Sequence, residues 1–223
     1  MDEQERTRVG ARLLEDAQGL GLSLDRRQTD ALVEYLAQLS RWNRTYNLTA
    51  IREVEAMRVQ HILDCLAIVP LLRQLLPAQA TLLDVGSGGG LPGVVLAVME
   101  PGWVVTCVDA VEKKMAFVRQ VSGVLRLPNL KAQHARVETL AIEPVDVVIS
   151  RAFASLDDFA ALAGRHVRED GTLAAMKGRE PGDEITALLA HGEWRVAAIH
   201  PLLVPGLDAQ RCLLLMERTH AGA

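Results

Sequence analysis

The densest chemistry in this 223-residue chain lies in one stretch, Asp84-Val-Gly-Ser-Gly-Gly-Gly-Leu-Pro-Gly93. A short apolar run feeds clustered glycines and then a second apolar run. Glycines in such a place let backbone N–H groups approach a ligand closely. Gly88 to Gly93 fits the literal dinucleotide pattern G-x-G-x-x-G, but two details argue against a dinucleotide. Pro92 and Gly93 stand where a pyrophosphate-binding helix should already be under way. Asp84 ends the strand two residues before the first glycine, and a carboxylate beside a pyrophosphate is repulsive. Beside a ligand carrying an ammonium and a sulfonium it is attractive, since opposite charges within about 4–6 Å favour both ionised forms.

This charge balance points to S-adenosylmethionine. Asp84-Val-Gly86-Ser-Gly88-Gly-Gly90 also resembles the Asp-x-Gly-x-Gly-x-Gly loop of class I methyltransferases. A nucleoside site wants a second acid about 20 residues on, closing the next strand and able to bond ribose hydroxyls. Asp109, at the end of the apolar run from Trp103, fits. Dinucleotide folds use the same acid, so Asp109 indicates a nucleoside without choosing between cofactors. The plain alternative is a tight turn with two helix-capping acids.

The elements that must hold these groups follow from hydrophobic period. From Thr81 onward short β-branched runs alternate with helical stretches, and strands are expected at 81–86, 103–109, 130–135, 145–150, 171–177, 194–200 and 211–217. The clearest helix between them covers 112–127, with Met115, Val118, Val121 and Leu125 on one face. Buried-type strands alternating with helices imply an α/β fold with a mostly parallel sheet covered on both faces. Residues 201–210 show no helical period, so a closing hairpin with an antiparallel last strand is expected.

Residues 1–78 read as helix instead. Leu32, Leu36 and Leu39 recur at helical spacing with Tyr35 and Trp42, after a candidate N-cap at Ser23 or Asp25. A second stripe runs through Val59, Ile62, Leu63, Leu66 and Val69 up to Pro70. The expected organisation is an N-terminal helical extension over 1–78 and a Rossmann-like domain over 79–223.

Further segments carry a more specific resemblance: Trp42-Asn-Arg-Thr-Tyr-Asn-Leu-Thr49, His61-Ile-Leu-Asp64, Ser150-Arg-Ala-Phe-Ala-Ser155 and Met176-Lys-Gly178. Taken with residues 84–93, they make the chain closely resemble the bacterial ribosomal RNA small subunit methyltransferase G family, also called glucose-inhibited division protein B. The resemblance implies a class I, Rossmann-like methyltransferase sheet with an N-terminal helical extension. It implies methyl transfer from S-adenosylmethionine to N7 of a guanine in the 530 loop of 16S ribosomal RNA. It further implies cofactor contacts at Gly86, Leu91, Asp109, Val137, Glu138 and Arg151. Plainer readings stand beside these: Leu91 as the first core residue of a helix, Glu138 as a solvated charge, Arg151 as half of a structural ion pair. Ser87 departs from the Thr or Ala frequent in the family, and a small polar residue should serve equally.

Guanine N7 has an in-plane lone pair and no proton at neutral pH, so it can attack a sulfonium methyl without a general base. No Ser-His-Asp triad is therefore expected from the six scattered histidines. Catalysis would rest on holding N7 and the methyl carbon in line, about 3–3.5 Å apart. A nearby acid would ease the positive charge appearing on the purine; Asp64 is the candidate, its plainer reading a helix acid paired with Arg58 or His61. The base must be unpaired or splayed out. Trp42, Tyr46 and Phe153 are candidates to stack on it, each equally suited to a core. Lys177, Arg179 and Arg211 are candidate phosphate contacts.

Composition narrows the partners. Lys+Arg total 24 against 28 Asp+Glu, a net charge of -4, which excludes a generally sticky nucleic-acid binder. Any basic surface must be local, and 16S ribosomal RNA within the small ribosomal subunit or an assembly intermediate is the expected partner. Cys65, Cys107 and Cys212 are widely spaced among apolar residues without a CxxC, so buried free thiols are expected and no metal site. No apolar h-region opens the chain and no run of 18 apolar residues occurs, so a cytoplasmic, non-membrane protein is expected; a monomer is the expected state, though the sequence does not fix it. Three rivals stay open: a class I methyltransferase on another substrate, an NAD-dependent oxidoreductase, and a cofactor-binding protein without transferase activity.

Overall fold

The computed structural model describes residues 1–219 apart from Ala152 and Ala154, which belong to the Ser150–Ser155 segment singled out above. Seven strands form one sheet: β1 (Thr81–Val85), β2 (Val104–Asp109), β3 (Leu130–His134), β4 (Val145–Ser150), β5 (Val167–Lys177), β6 (Trp194–Leu202) and β7 (Arg211–Arg218). Their order is β3-β2-β1-β4-β5-β7-β6. The pairings among β1 to β5 are parallel, and β7 runs antiparallel to both its neighbours. The closing hairpin is as expected, but its last strand lies inside the sheet and β6 takes the edge.

β5 starts at Val167, earlier than the expected residue 171, because the polar run after Val167 hides a strand that pairs Val145 with Val167. A register shift follows on β4, and Gly171 sits so close to the Asp146 carbonyl that a Cβ would lie 2.7 Å from it.

Successive strand residues bury on opposite faces. Leu82, Val147, Ile149, Leu213 and Leu215 join one core; Leu83, Val148, Leu214 and Met216 join the other. The second core is closed by α8 (Leu156–Ala163) and α9 (Gly182–His191). The first is closed by α6 (Gly93–Met99) and α7 (Glu112–Val124) together with the N-terminal helices. Val9, Leu13, Leu32, Leu36 and Ile62 pack in that same cluster, so the N-terminal helices share a core with the sheet.

The N-terminal helices are α1 (Glu3–Gly19) and α2 (Arg26–Tyr46), followed by α3 (Val54–Met57), a wide π-type turn over Arg58–Leu63, α4 (Asp64–Leu66) and α5 (Val69–Leu75). Asp25 is the N-cap of α2 and forms a reciprocal capping box with Gln28. Asn47, at φ 49° in the left-handed region, ends the helix. The second apolar stripe is thus cut into pieces. Pro70 sits in the first turn of α5, where its missing N–H costs nothing. Arg58, 6% exposed, ties the pieces together by binding Asp16 on α1 and Glu55 on α3.

One buried contact joins this helical layer to the glycine loop: the Tyr35 hydroxyl donates to the Gly89 carbonyl at 2.8 Å, with Tyr35 wholly inaccessible. Tyr35→Phe should therefore leave a buried carbonyl unpaired. Urea unfolding should show a loss of about 1–2 kcal/mol with the m-value unchanged; no loss would mean the hydroxyl does not tie helix to loop.

Candidate functional site

The chain leaves β1 through Gly86, Gly88 and Gly90, at φ 67°, 59° and 89°. The N–H groups of Gly86 and Ser87 donate to the Val108 carbonyl at 2.9 and 3.1 Å, which folds the loop over the end of β2. At Gly93, the first residue of α6, a Cβ would lie 2.4 Å from Cys107 Sγ and 2.9 Å from Asp84 Oδ2, so only glycine fits. Gly88 is the opposite case. It needs its left-handed backbone, but the space where a Cβ would point is open for 4 Å. Here the loop presents bare backbone to an approaching ligand.

Asp84 is fully buried under this loop. Its Oδ2 accepts the Gly93 N–H at 2.7 Å and lies 3.8 Å from Cys107 Sγ, while Oδ1 has no hydrogen-bond partner among the described residues. Burial pushes its pKa up to about 7, against the pull of the Gly93 N–H and the Arg151 charge. The sequence suggested a carboxylate lying directly beside the ligand. The strand end offers instead a sealed carboxylate that anchors the loop.

Asp109 ends β2 with its carboxylate 7% exposed. It accepts from the N–H groups of Gly88 at 3.0 Å and Val111 at 2.9 Å, and from Lys114 Nζ at 3.2 Å. The second acid and the glycine loop are thus bonded to each other. The Asp109 carbonyl takes the Ala135 N–H at 3.3 Å, which brings the end of β3 and the following turn, Val137–Thr139, to the same edge. Within that turn Glu138 is exposed, whereas the Val137 side chain is buried in the second core. Leu91 is also buried, in the first core, two residues before α6 begins. Gly86, Asp109 and the Val137–Glu138 turn therefore sit together on one side of the β1 end.

Arg151 follows β4 on the other side of β1, where Ser150 Oγ donates to the Val85 carbonyl at 2.7 Å. Its guanidinium donates to Asp64 Oδ2 at 3.0 Å and to the Gln60 carbonyl at 3.2 Å. Arg211, opening β7, reaches Asp64 Oδ1 at 3.0 Å. Asp64, 4% exposed, is therefore paired with two arginines and not with Arg58 or His61. Arg58 had gone to Asp16 and Glu55. His61 bonds Thr49 Oγ1 at 2.9 Å, and burial together with the Arg151 charge pushes its pKa down to about 4. These groups, with Lys177 and Ile51, line a cleft of about 380 Å³. Lys177 Nζ donates to the Phe153 carbonyl and to Glu184, so it braces the cleft wall; Arg179 is exposed.

Of the aromatic candidates, Trp42 packs on Phe117 and Tyr46, and Phe153 packs on Phe159. Tyr46 alone is exposed, at 42%. Cys65, Cys107 and Cys212 are buried free thiols. No helix among the described residues is long and apolar enough to cross a membrane. Several site groups carried no usable sequence signal: the Tyr35 hydroxyl, the Gln60 carbonyl and the Ser87 hydroxyl. Ser87 Oγ is buried beside the Cys107 thiol. Lys114 was findable, five residues past Asp109 in the first turns of the next helix.

This geometry agrees with what the chain is similar to. A family model described as rRNA small subunit methyltransferase G matches residues 28–214. A ribosomal RNA small subunit methyltransferase G of Bordetella petrii is 63% identical over 210 residues, covering 93% of this chain and 82% of the relative. One of Paracidovorax citrulli is 49% identical, covering 94% and 90%. Among solved structures, a ribosomal protein L11 methylase of Lactobacillus delbrueckii matches at TM-score 0.55 and 17% identity, over 75% of this chain and 80% of that one. A SAM-dependent methyltransferase of Thiobacillus denitrificans in complex with S-adenosyl-L-homocysteine matches at 0.52 and 13%, over 70% and 91%. At such identities the structural matches speak for the fold, a mostly parallel sheet of the methyltransferase type.

Two measurements test the loop. Gly93→Ala should cost about 1–3 kcal/mol in urea unfolding, since backbone, thiol and carboxylate must all shift. The Asp84 carboxyl keeps a proton in the folded state that the unfolded chain gives up between its ordinary 3.8 and about 7. Its contribution to stability should thus fall as pH rises through that window and level off above it, by roughly 2–4 kcal/mol in all. His61 has the opposite sign, gaining stability from about pH 4 to 6.5. The readout is therefore the difference between wild type and Asp84→Asn across pH 4–8; a flat difference would contradict the assignment.

Proposed function

Because this chain belongs to the rRNA small subunit methyltransferase G family, we propose that it methylates N7 of a guanine in the 530 loop of 16S ribosomal RNA with S-adenosylmethionine. One observation carries the reading. The glycine loop with Asp109 and the cleft around Asp64, Arg151 and Arg211 open at the same edge of the sheet, on either side of the end of β1. The strand order reverses between β1 and β4, which is where open α/β sheets bind ligands. Family membership sets aside the dinucleotide alternative.

The residues present fit the cofactor. Gly88 offers open backbone and Asp109 a carboxylate at the ribose-binding position of such folds. Gly86, Asp109, Glu138 and the Val137 backbone would hold the nucleoside part, with Arg151 bounding the far side and Leu91 supporting the loop from within the core. When bound, S-adenosylmethionine supplies an electrophilic methyl group on a sulfonium.

The protein's own task is then positional. N7 needs no base, and His61, neutral at pH 7, adds neither charge nor proton. Asp64 is a positioning residue, since it fixes the two guanidiniums that line the acceptor cleft. Arg211 would hold a phosphate or base edge of the RNA there, and water would be displaced as the base enters. The natural partner would be the small ribosomal subunit or an assembly intermediate, met by a cytoplasmic monomer.

Small subunits from a strain lacking the gene, incubated with labelled methyl donor, should gain one N7-methylguanosine, located by chain cleavage at the modified base. No transfer, or transfer elsewhere, would overturn the reading. The two halves of the site should separate. Asp109→Asn should weaken S-adenosylhomocysteine binding at least about tenfold, the scale of one charge-assisted hydrogen bond. Arg211→Ala should leave that affinity intact and lower kcat/KM for subunits by a similar factor.

A further inference from the structure

We propose that the N-terminal helices carry a second RNA-binding surface, an arginine-lined groove that grips the phosphate backbone beside the catalytic cleft. This rests on the reading that the substrate is ribosomal RNA. A cleft of about 390 Å³ opens between α1, the end of α2 and the start of α3, lined by Arg8, Arg44 and Arg52. A second of about 340 Å³ adjoins it, sharing Arg44 and adding Arg41. All four arginines are exposed.

Their pairing is what marks them. Most other arginines of these helices are committed to carboxylates, as Arg6 is to Glu34, Arg12 to Glu55 and Arg58 to Asp16, with Arg27 the exception among the described residues. Among the described residues, Arg8, Arg41 and Arg44 have no carboxylate partner, and Arg52 touches only the Asn47 amide oxygen at 3.4 Å. Of the acids in the first cleft, Glu55 is taken by Arg12 and Arg58, and Glu5 lies 3.9 Å from the Met1 amine, which leaves Glu53. A chain of net charge -4 thus keeps four uncommitted guanidiniums against one carboxylate on a single face. Guanidiniums bind phosphate bidentately, and phosphate contacts supply most of the affinity of nucleic-acid binding without reading sequence.

Position supplies the second argument. Asn43, in the wall of the first cleft, bonds the Ile51 carbonyl at 3.0 Å and the Thr49 N–H at 2.9 Å. That pins the segment whose Ile51 lines the catalytic cleft and whose next residue, Arg52, lines the arginine groove. One strip of backbone separates the two. A strand whose guanine enters the catalytic cleft can cross that strip and lay its neighbouring phosphates on the arginines.

The test is the variant Arg8→Gln/Arg41→Gln/Arg44→Gln, which removes no buried contact. KM for unmodified small subunits should rise about tenfold or more, while kcat, S-adenosylhomocysteine affinity and the unfolding transition stay as in wild type. Affinity for a 16S transcript, measured by filter retention without methyl donor, should lose salt dependence, its slope shrinking by about two, or roughly 0.7–0.9 per lost phosphate contact. The corresponding triple Lys variant should recover most of the loss. Unchanged KM and slope would overturn the proposal. So would a raised KM with an unchanged slope, since the groove would then meet a ribosomal protein. Filter retention needs no methyl transfer, so the proposal can fail or stand separately from the assigned reaction.

Discussion

A single buried carboxylate holds the ligand-facing edge of this molecule in shape. Asp84 reaches under the glycine loop and takes the first N–H of α6, in a space so tight that Gly93 cannot carry a side chain. Everything above depends on that closure. It bends the chain sharply enough for Gly86 and Ser87 to bond the Val108 carbonyl, and it sets Gly88 where Asp109 can bond it. Burying an ionisable group is costly, and the raised pKa of Asp84 records that cost. The gain is a loop that is ordered before any ligand arrives.

On the other side of β1 the same economy appears with the signs reversed. Arg151 and Arg211 would repel each other if brought together alone, and Asp64 makes their company stable. The helical layer contributes Asp64, the sheet contributes the arginines, and neither half has a cleft without the other. A helical layer that shares its core with the sheet is what such a divided site requires.

Strand positions were legible because each strand's local pattern is set by burial on both faces, and the sheet's covering helices follow from that. Asp109 was legible for the same reason, standing where an apolar run ends. Asp64 was visible as a candidate but its role was not: its partners lie 87 and 147 residues away, and no local pattern encodes so distant a pairing. The Tyr35–Gly89 bond spans 54 residues and was hidden likewise. The wide turn at Arg58–Leu63 escaped because apolar and polar residues alike are buried there, which erases the one-sided stripe that marks a helix. Leu91 and Val137 were singled out through resemblance alone, and their side chains are buried in the two cores.

The strand order has a consequence for how the protein is made. β7 comes after the other six strands in chain order, yet it lies between β5 and β6 and brings Arg211 to Asp64. Until it emerges from the ribosome, β5 and β6 have no shared neighbour and expose unpaired edges. The cleft around Asp64 is therefore completed only once β7 is available to bring Arg211 to it. A product truncated before residue 211 would lose Leu213 and Leu215 from one core and Leu214 and Met216 from the other, together with the Arg211–Asp64 pair.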